Sequence, residues 1–144
     1  MDANIKRSII LDNYQDPKNR GIPNNSSEYI KINSNNDSCI DNIDIYVKLN
    51  NNIIEDIKFE GEACVIAISS TSILSDMLIG KNIECVNDIL KNYYNMIEEH
   101  EYDDKLLGEA CVYDDIYKQP SRKTCVTLFA RGMEKIIDKE KNNV

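Results

Sequence analysis

Several features are missing from this sequence of 144 residues, which has no tryptophan and a single histidine. It has no apolar run long enough for a membrane-spanning helix. Acidic residues (25) outnumber basic ones (17), and the formal net charge is −8. This balance argues against nucleic acid as a partner, because few basic side chains could displace counterions from phosphates. Metal cations and basic protein surfaces remain as natural partners.

Cysteine is the residue type that stands out, with five copies. An odd number excludes complete internal disulfide pairing, and no C-x-x-C pair is present to give the usual spacing of a zinc site. Residues 1–6 contain no apolar signal core, so we expect a cytoplasmic protein whose thiols stay reduced. Reduced thiols of this kind are buried fillers, metal ligands or reactive groups.

The hydrophobic pattern predicts a single α+β domain over residues 1–144, with helices on one face of an antiparallel sheet. Alternation over 42–49 and from Ile53 to Phe59, with Asn50–Asn52 between them, predicts a β-hairpin that Gly61 ends. A short edge strand is expected at 29–32. Helical spacing predicts helices over 2–15, 64–78, 83–97 and a last one capped by Ser121 and extending to 137.

Three cysteines fall at predicted element boundaries. Cys39 precedes the first hairpin strand, Cys64 opens a helix, and Cys125 lies in the first turn predicted for the last helix. A helix N-terminus favours a thiolate, and the preceding residues Arg122 and Lys123 should lower the pKa of Cys125 further. If these boundaries meet, three thiolates and the nearby Asp41 would suffice for tetrahedral zinc or an iron–sulfur species.

The spacing leaves simpler interpretations open. A cysteine in a helix is more often a small buried apolar residue than a ligand. Cys85 and Cys111 fit that role, and the acidic residues after Cys111 should raise its pKa. His100 is expected to be a solvated residue at a helix end, and Asp41 by itself could simply begin a strand.

Several short motifs occur in an order that is specific when taken together. The sequence resembles the U-type iron–sulfur scaffold family (IscU, SufU and the N-terminal domain of NifU), and it is most similar to the SufU branch. The resemblance extends from about residue 5 to residue 137. Its motifs lie at 14–21 (YQDPKNRG), 38–41 (SCID), 54–64 (IEDIKFEGEAC), 69–72 (SSTS), 80–81 (GK) and 120–125 (PSRKTC).

The resemblance implies a three-stranded antiparallel sheet and a metal held by Cys39, Asp41, Cys64 and Cys125. IscU-type members build a [2Fe–2S] cluster at such a site, whereas SufU-type members are zinc-containing acceptors of persulfide sulfur. The implied partners are a SufS-like cysteine desulfurase and, downstream, cluster carriers or apo-protein acceptors. By the same match, Cys39 is the sulfur acceptor and Arg122 steadies the site or the partner contact.

The sequence departs from the family pattern at three positions close to the implied ligands. Ile40 and Ala63 replace glycines, and Thr124 stands where IscU proteins carry histidine. All four implied ligands are nevertheless present. An alternative function is that of a zinc-stabilised binding module that docks on a partner without accepting sulfur. A thiol oxidoreductase is disfavoured, because no vicinal cysteine pair exists to form a fast internal disulfide.

Overall fold

The computed structural model describes residues 1–37 and 40–142. Within them, the α-helices are Ala3–Gln15 (α1), Val65–Leu78 (α2), Ile83–Ile97 (α3), Asp104–Leu107 (α4), Lys123–Val126 (α5) and Leu128–Asn142 (α6). The strands are Ile30–Asn35 (β1), Asn42–Asn50 (β2) and Ile53–Glu62 (β3), and short 3₁₀ helices occupy Ser26–Glu28, Gly108–Tyr113, Ile116–Lys118 and Pro120–Arg122. This part of the chain contains no helix with the length and apolar character needed to cross a membrane.

The three strands form one antiparallel sheet in the order β1-β2-β3, which confirms the predicted α+β class, edge strand and hairpin. Asn51 and Asn52 make the hairpin turn with φ values of 53° and 64°, a left-handed conformation that asparagine tolerates better than most residues. The asparagine-rich segment thereby sets where the chain reverses.

A register shift in the hairpin corrects one part of the predicted strand pattern. Lys48 pairs with Asp56 but Leu49 pairs with Ile54, so one extra residue lies in β3. The shift exchanges the faces of the residues that follow the turn. Ile54 is therefore fully buried, whereas Ile53, which strict alternation would place on the same side as Ile57 and Phe59, is 44% exposed.

The core lies between the inner face of the sheet and the helices. Ile43, Ile45 and Val47 of β2 are fully buried in it, as their alternation predicts. Helix α6 approaches the sheet closely at Gly132, where an added Cβ would collide with the end of the Ile45 side chain. Glycine at this position thus permits the tight packing that brings the C-terminal helix over β1 and β2.

Helix α2 buries hydroxyl groups as well as apolar side chains. Ser72, which is fully buried, donates to Asn13 Oδ1 at 2.7 Å and accepts from the Lys18 amide at 2.8 Å. Asn19 Nδ2 donates to Ser75 Oγ at 3.0 Å. The small residues of the 69–72 motif therefore let α1 and the segment after it lie against α2, with polar groups satisfied.

The chain after residue 119 differs from the predicted single helix. Ser121 lies inside the 3₁₀ turn Pro120–Arg122 and does not cap a helix, because Arg122 holds the N-cap position of α5 without a side-chain hydrogen bond. A break at Thr127 then separates the four-residue α5 from α6. Cys125 belongs to this short helix, not to the first turn of a long one.

Gly61 lies inside β3 and does not end the strand, which corrects the expectation for this residue. Its φ of +144° is one that L side chains rarely adopt, and an added Cβ would come within 2.8 Å of Ile43 Cα. Glycine is thus required at position 61, where the backbone of β3 comes very close to the start of β2.

We predict that Gly61→Ala lowers the free energy of unfolding by about 1–3 kcal/mol more than Gly21→Ala does. Gly21 is the matched control, because its φ is +133° and an added Cβ would meet nothing within 4 Å. Urea unfolding of both variants measures the difference. Equal losses of stability would show that crowding at Gly61 is unimportant.

Candidate metal centre

Three of the four implied ligands converge on one point. The ligand atoms of Asp41, Cys64 and Cys125 all lie within 4.8 Å of one another. Asp41 directly precedes β2, Cys64 is the N-cap of α2, and Cys125 is in α5. Cys39 lies outside the described residues. Its role and the assignment of the other three as ligands remain predictions.

The Asp41 carboxylate is the most buried member of this group, with a relative exposure of 1%. Its Oδ1 accepts a hydrogen bond from the Cys64 backbone amide at 2.8 Å, and its Oδ2 accepts one from Asn36 Nδ2 at 3.1 Å. Both carboxylate oxygens are thus partnered, as a buried charge requires. This arrangement fixes the plane of the carboxylate beside the two sulfurs.

Cys64 sits where the sequence predicts it, at the N-terminus of a long helix. Its Sγ accepts from the Ala67 amide at 3.5 Å and so caps α2. The same Sγ lies 3.8 Å from Asp41 Oδ2. One sulfur therefore contacts both the helix end and the carboxylate.

The expectation of a lowered pKa at Cys125 is wrong. The pKa of the Cys125 thiol is raised to about 12, chiefly by burial and in addition by the neighbouring Asp41 and Cys64. The four-residue α5 offers little dipole, Lys123 pairs with Glu98 at 3.0 Å, and the Arg122 side chain is exposed. In the absence of metal, this thiol is therefore protonated near neutral pH.

Two residues beside the site were not anticipated from the sequence. Arg131 of α6 donates from Nη2 to Asn36 Oδ1 at 2.6 Å and to the Thr124 carbonyl at 2.7 Å. Asn36 also donates to that carbonyl at 3.2 Å. Arg131 and Asn36 are 95 residues apart, so neither hydrophobic period nor motif spacing could have linked them.

The other two cysteines and the histidine lie apart from the group. Cys85 and Cys111 are partly buried against the core. Burial is the largest cause that raises the pKa of the Cys111 thiol, and the charges of Asp104 and Asp114 raise it further, as expected from its acidic surroundings. His100 is exposed just after α3.

The donor set fits a thiophilic metal. Zinc binds thiolates at about 2.3 Å and carboxylate oxygens at about 2.0 Å, so a sulfur and an oxygen of one tetrahedron lie roughly 3.6 Å apart. The 3.8 Å between Cys64 Sγ and Asp41 Oδ2 is close to that separation. Asp41, Cys64 and Cys125 can thus share one ion, with a fourth position left for another ligand.

An antiparallel sheet covered by helices, with two cysteines and an aspartate where the hairpin and the helices meet, is the arrangement of a protein that could hold a metal ion through sulfur. The chain belongs to the NifU-like N-terminal domain family, whose profile matches residues 5–126. The resemblance inferred from the motifs is thereby confirmed.

Relatives of this chain include both branches of the family. The zinc-dependent sulfurtransferase SufU of Bacillus subtilis is 38% identical over 137 residues, which is 94% of this chain and 91% of that protein. The iron–sulfur cluster assembly scaffold protein IscU of Thermotoga maritima is 29% identical over 104 residues, covering 72% and 73% of the two chains. The similarity to SufU thus extends over more of the chain.

Solved structures show the same fold. A chain described as an iron–sulfur cluster assembly scaffold protein for the SUF system, from Fervidobacterium islandicum, superposes with a TM-score of 0.80 at 29% identity, covering 88% of this chain and 91% of that one. A NifU-like N-terminal domain from Brucella abortus gives a TM-score of 0.83 over 99% of this chain and 100% of that one. At 14% identity, the second comparison shows the fold alone.

We predict that Asp41→Ala, Cys64→Ser and Cys125→Ser each lose bound zinc on desalting, because each removes a donor from a four-coordinate site. Cys85→Ser and Cys111→Ser are the matched controls and are expected to keep one zinc per chain. Elemental analysis of the purified variants provides the measurement. Zinc lost from a control, or kept after loss of Cys64, would contradict the assignment.

We also predict that metal-free Cys125 alkylates slowly at about pH 8, because its raised pKa leaves little thiolate. In the chain unfolded by urea, the alkylation rates should level off above the ordinary thiol pKa of about 8.5. In the folded protein, the alkylation rate of Cys125 should continue to rise beyond that pH. Asp41→Asn should speed the reaction by removing a neighbouring negative charge. Mass spectrometry of iodoacetamide-treated protein follows each cysteine, and identical folded and unfolded profiles would contradict the prediction.

Proposed function

We propose that this protein takes part in iron–sulfur cluster assembly as a zinc-dependent acceptor of persulfide sulfur from a cysteine desulfurase. The observation that carries the proposal is the convergence of Asp41, Cys64 and Cys125. Similarity to the zinc-dependent sulfurtransferase SufU along 94% of the chain supports it.

Cys39 is the proposed fourth ligand and the sulfur acceptor. It stands two residues before Asp41 in the sequence. A separation of two residues from Asp41 supports assigning Cys39 to the position that Asp41, Cys64 and Cys125 leave for another ligand.

A ligand set of three sulfurs and one oxygen suits zinc. When bound, zinc would supply positive charge that keeps the cysteine sulfurs as thiolates. In a site of soft thiolate ligands, the carboxylate is the weakest and the most exchangeable ligand. Iron, or a transient [2Fe–2S] cluster carried as cargo, is the alternative occupant, although threonine at position 124 removes the histidine of IscU proteins.

The proposed transfer is a thiol exchange. The Cys39 thiolate attacks the outer sulfur of a persulfide on the desulfurase cysteine, a new S–S bond forms, and the bond to the desulfurase sulfur breaks. The desulfurase cysteine leaves as a thiolate, and Cys39 carries the persulfide. No external oxidant or reductant is required, because one S–S bond replaces another.

The surroundings fit such a partner. The exposed Arg122 lies three residues before Cys125 and is available to steady the partner or the site. A net charge of −8 favours a basic docking face on the desulfurase. Thiol chemistry of this kind suits the cytoplasm, where thiols stay reduced, and cluster carriers or apo-proteins would receive the product.

The test adds zinc-loaded protein to a SufS-type cysteine desulfurase with cysteine and follows alanine release. We expect turnover to rise with the unaltered protein and with the control Cys85→Ser, and to stay at the basal rate with Cys39→Ser. Mass spectrometry should show that Cys39 gains one sulfur atom.

Unchanged turnover with the unaltered protein would contradict the sulfur-acceptor function. If the protein still bound zinc and the desulfurase, the result would favour the alternative, a zinc-stabilised binding module that only docks. Stimulation that persists in Cys39→Ser would instead move the acceptor role to another cysteine.

A further inference from the structure

Asn36 and Asp41, which flank Cys39 in the sequence, are joined by two hydrogen bonds. The Asn36 amide N–H donates to the Asp41 carbonyl at 3.0 Å, and Asn36 Nδ2 donates to Asp41 Oδ2 at 3.1 Å. Asn36 is itself buried, with a relative exposure of 9%. Its side chain therefore helps set where the Asp41 carboxylate points.

A carboxamide can fulfil this role in only one of its two orientations. The nitrogen must face Asp41 Oδ2, because two oxygens in contact would repel each other. Arg131 decides the orientation, since its guanidinium has only donors and Nη2 contacts Asn36 Oδ1 at 2.6 Å. With its oxygen bound to Arg131, the amide of Asn36 must present its nitrogen to Asp41.

The same arginine contacts the other side of the site. Arg131 Nη2 donates to the Thr124 carbonyl at 2.7 Å, directly before Cys125 in the chain. Its Nε donates to Thr127 Oγ1 at 3.2 Å, which holds the guanidinium in place. One side chain on α6 is thus connected to the surroundings of both Asp41 and Cys125.

We propose that Arg131 is a positioning residue for the metal centre, and that it acts through the amide of Asn36 on Asp41 and through the carbonyl of Thr124 on Cys125. The inference rests on the proposed function only in taking Asp41 and Cys125 as metal ligands. Groups behind the ligands commonly change metal affinity by about 10–100-fold when they are removed.

Arg131→Met is expected to speed the transfer of zinc to a chromogenic chelator by at least about tenfold relative to the unaltered protein. The matched control is Lys135→Met, which removes the same charge from an exposed position on α6. Arg131→Lys should recover most of the retention, because an ammonium can still donate to Asn36 and Thr124.

The Co²⁺ form separates positioning from a purely structural role. Its visible bands report the ligand set, so Arg131→Met and Asn36→Leu should both shift them, whereas Lys135→Met should not. The double variant Arg131→Met/Asn36→Leu should lose zinc more slowly than the product of the two single effects predicts, because part of the effect of Arg131 passes through Asn36. Urea unfolding of the metal-free proteins checks that folding is intact.

The proposal is overturned if Arg131→Met retains zinc and its Co²⁺ bands as Lys135→Met does, or if the effects of the two substitutions multiply in the double variant. These measurements involve no desulfurase. Loss of zinc from Arg131→Met in a protein that fails to stimulate the desulfurase would support the positioning role while contradicting the sulfur-acceptor function.

Discussion

The hydrogen bond from the Cys64 amide to Asp41 Oδ1 is the contact on which the site depends. It joins the start of β2 to the start of α2 across 23 residues, and the β2–β3 hairpin fills the interval. The pairing of Asn42 with Glu62 brings these two ends together. The register shift lies at the far end of the hairpin, so it leaves the paired ends beside the site aligned. Correct pairing of the hairpin is therefore required to bring Asp41 and Cys64 together.

Burial has opposite consequences for the two kinds of ligand. The Asp41 carboxylate is buried with both oxygens partnered, so its charge is compatible with the interior before metal arrives. The pKa of the Cys125 thiol, by contrast, is raised by burial and by the neighbouring Asp41 and Cys64. If Cys125 is a ligand as proposed, metal binding must displace a proton from its thiol. At neutral pH a proton would therefore compete with the metal for the Cys125 sulfur.

The sequence predicted the parts that depend on local pattern. Alternation in β2, the asparagine turn and the helix start at Cys64 are all properties of short segments, and the motif order pointed to Asp41, Cys64 and Cys125, which the structure brings together. The parts that it missed depend on distant contacts. The burial of Ile54 in place of Ile53 follows from a pairing shift, and the pKa of Cys125 depends on what surrounds its sulfur. Arg131 resembles any other charged residue of an amphipathic helix until α6 is placed over the sheet.

X-ray absorption at the zinc edge of the purified protein tests the central claim, a site of three cysteine sulfurs and the Asp41 oxygen, most directly. The proposed ligand set predicts three sulfurs at about 2.3 Å and one oxygen at about 2.0 Å from the zinc, without the outer scattering of an imidazole ring. A shell with four sulfurs, or one with a histidine nitrogen, would contradict the assignment of Asp41 as a ligand.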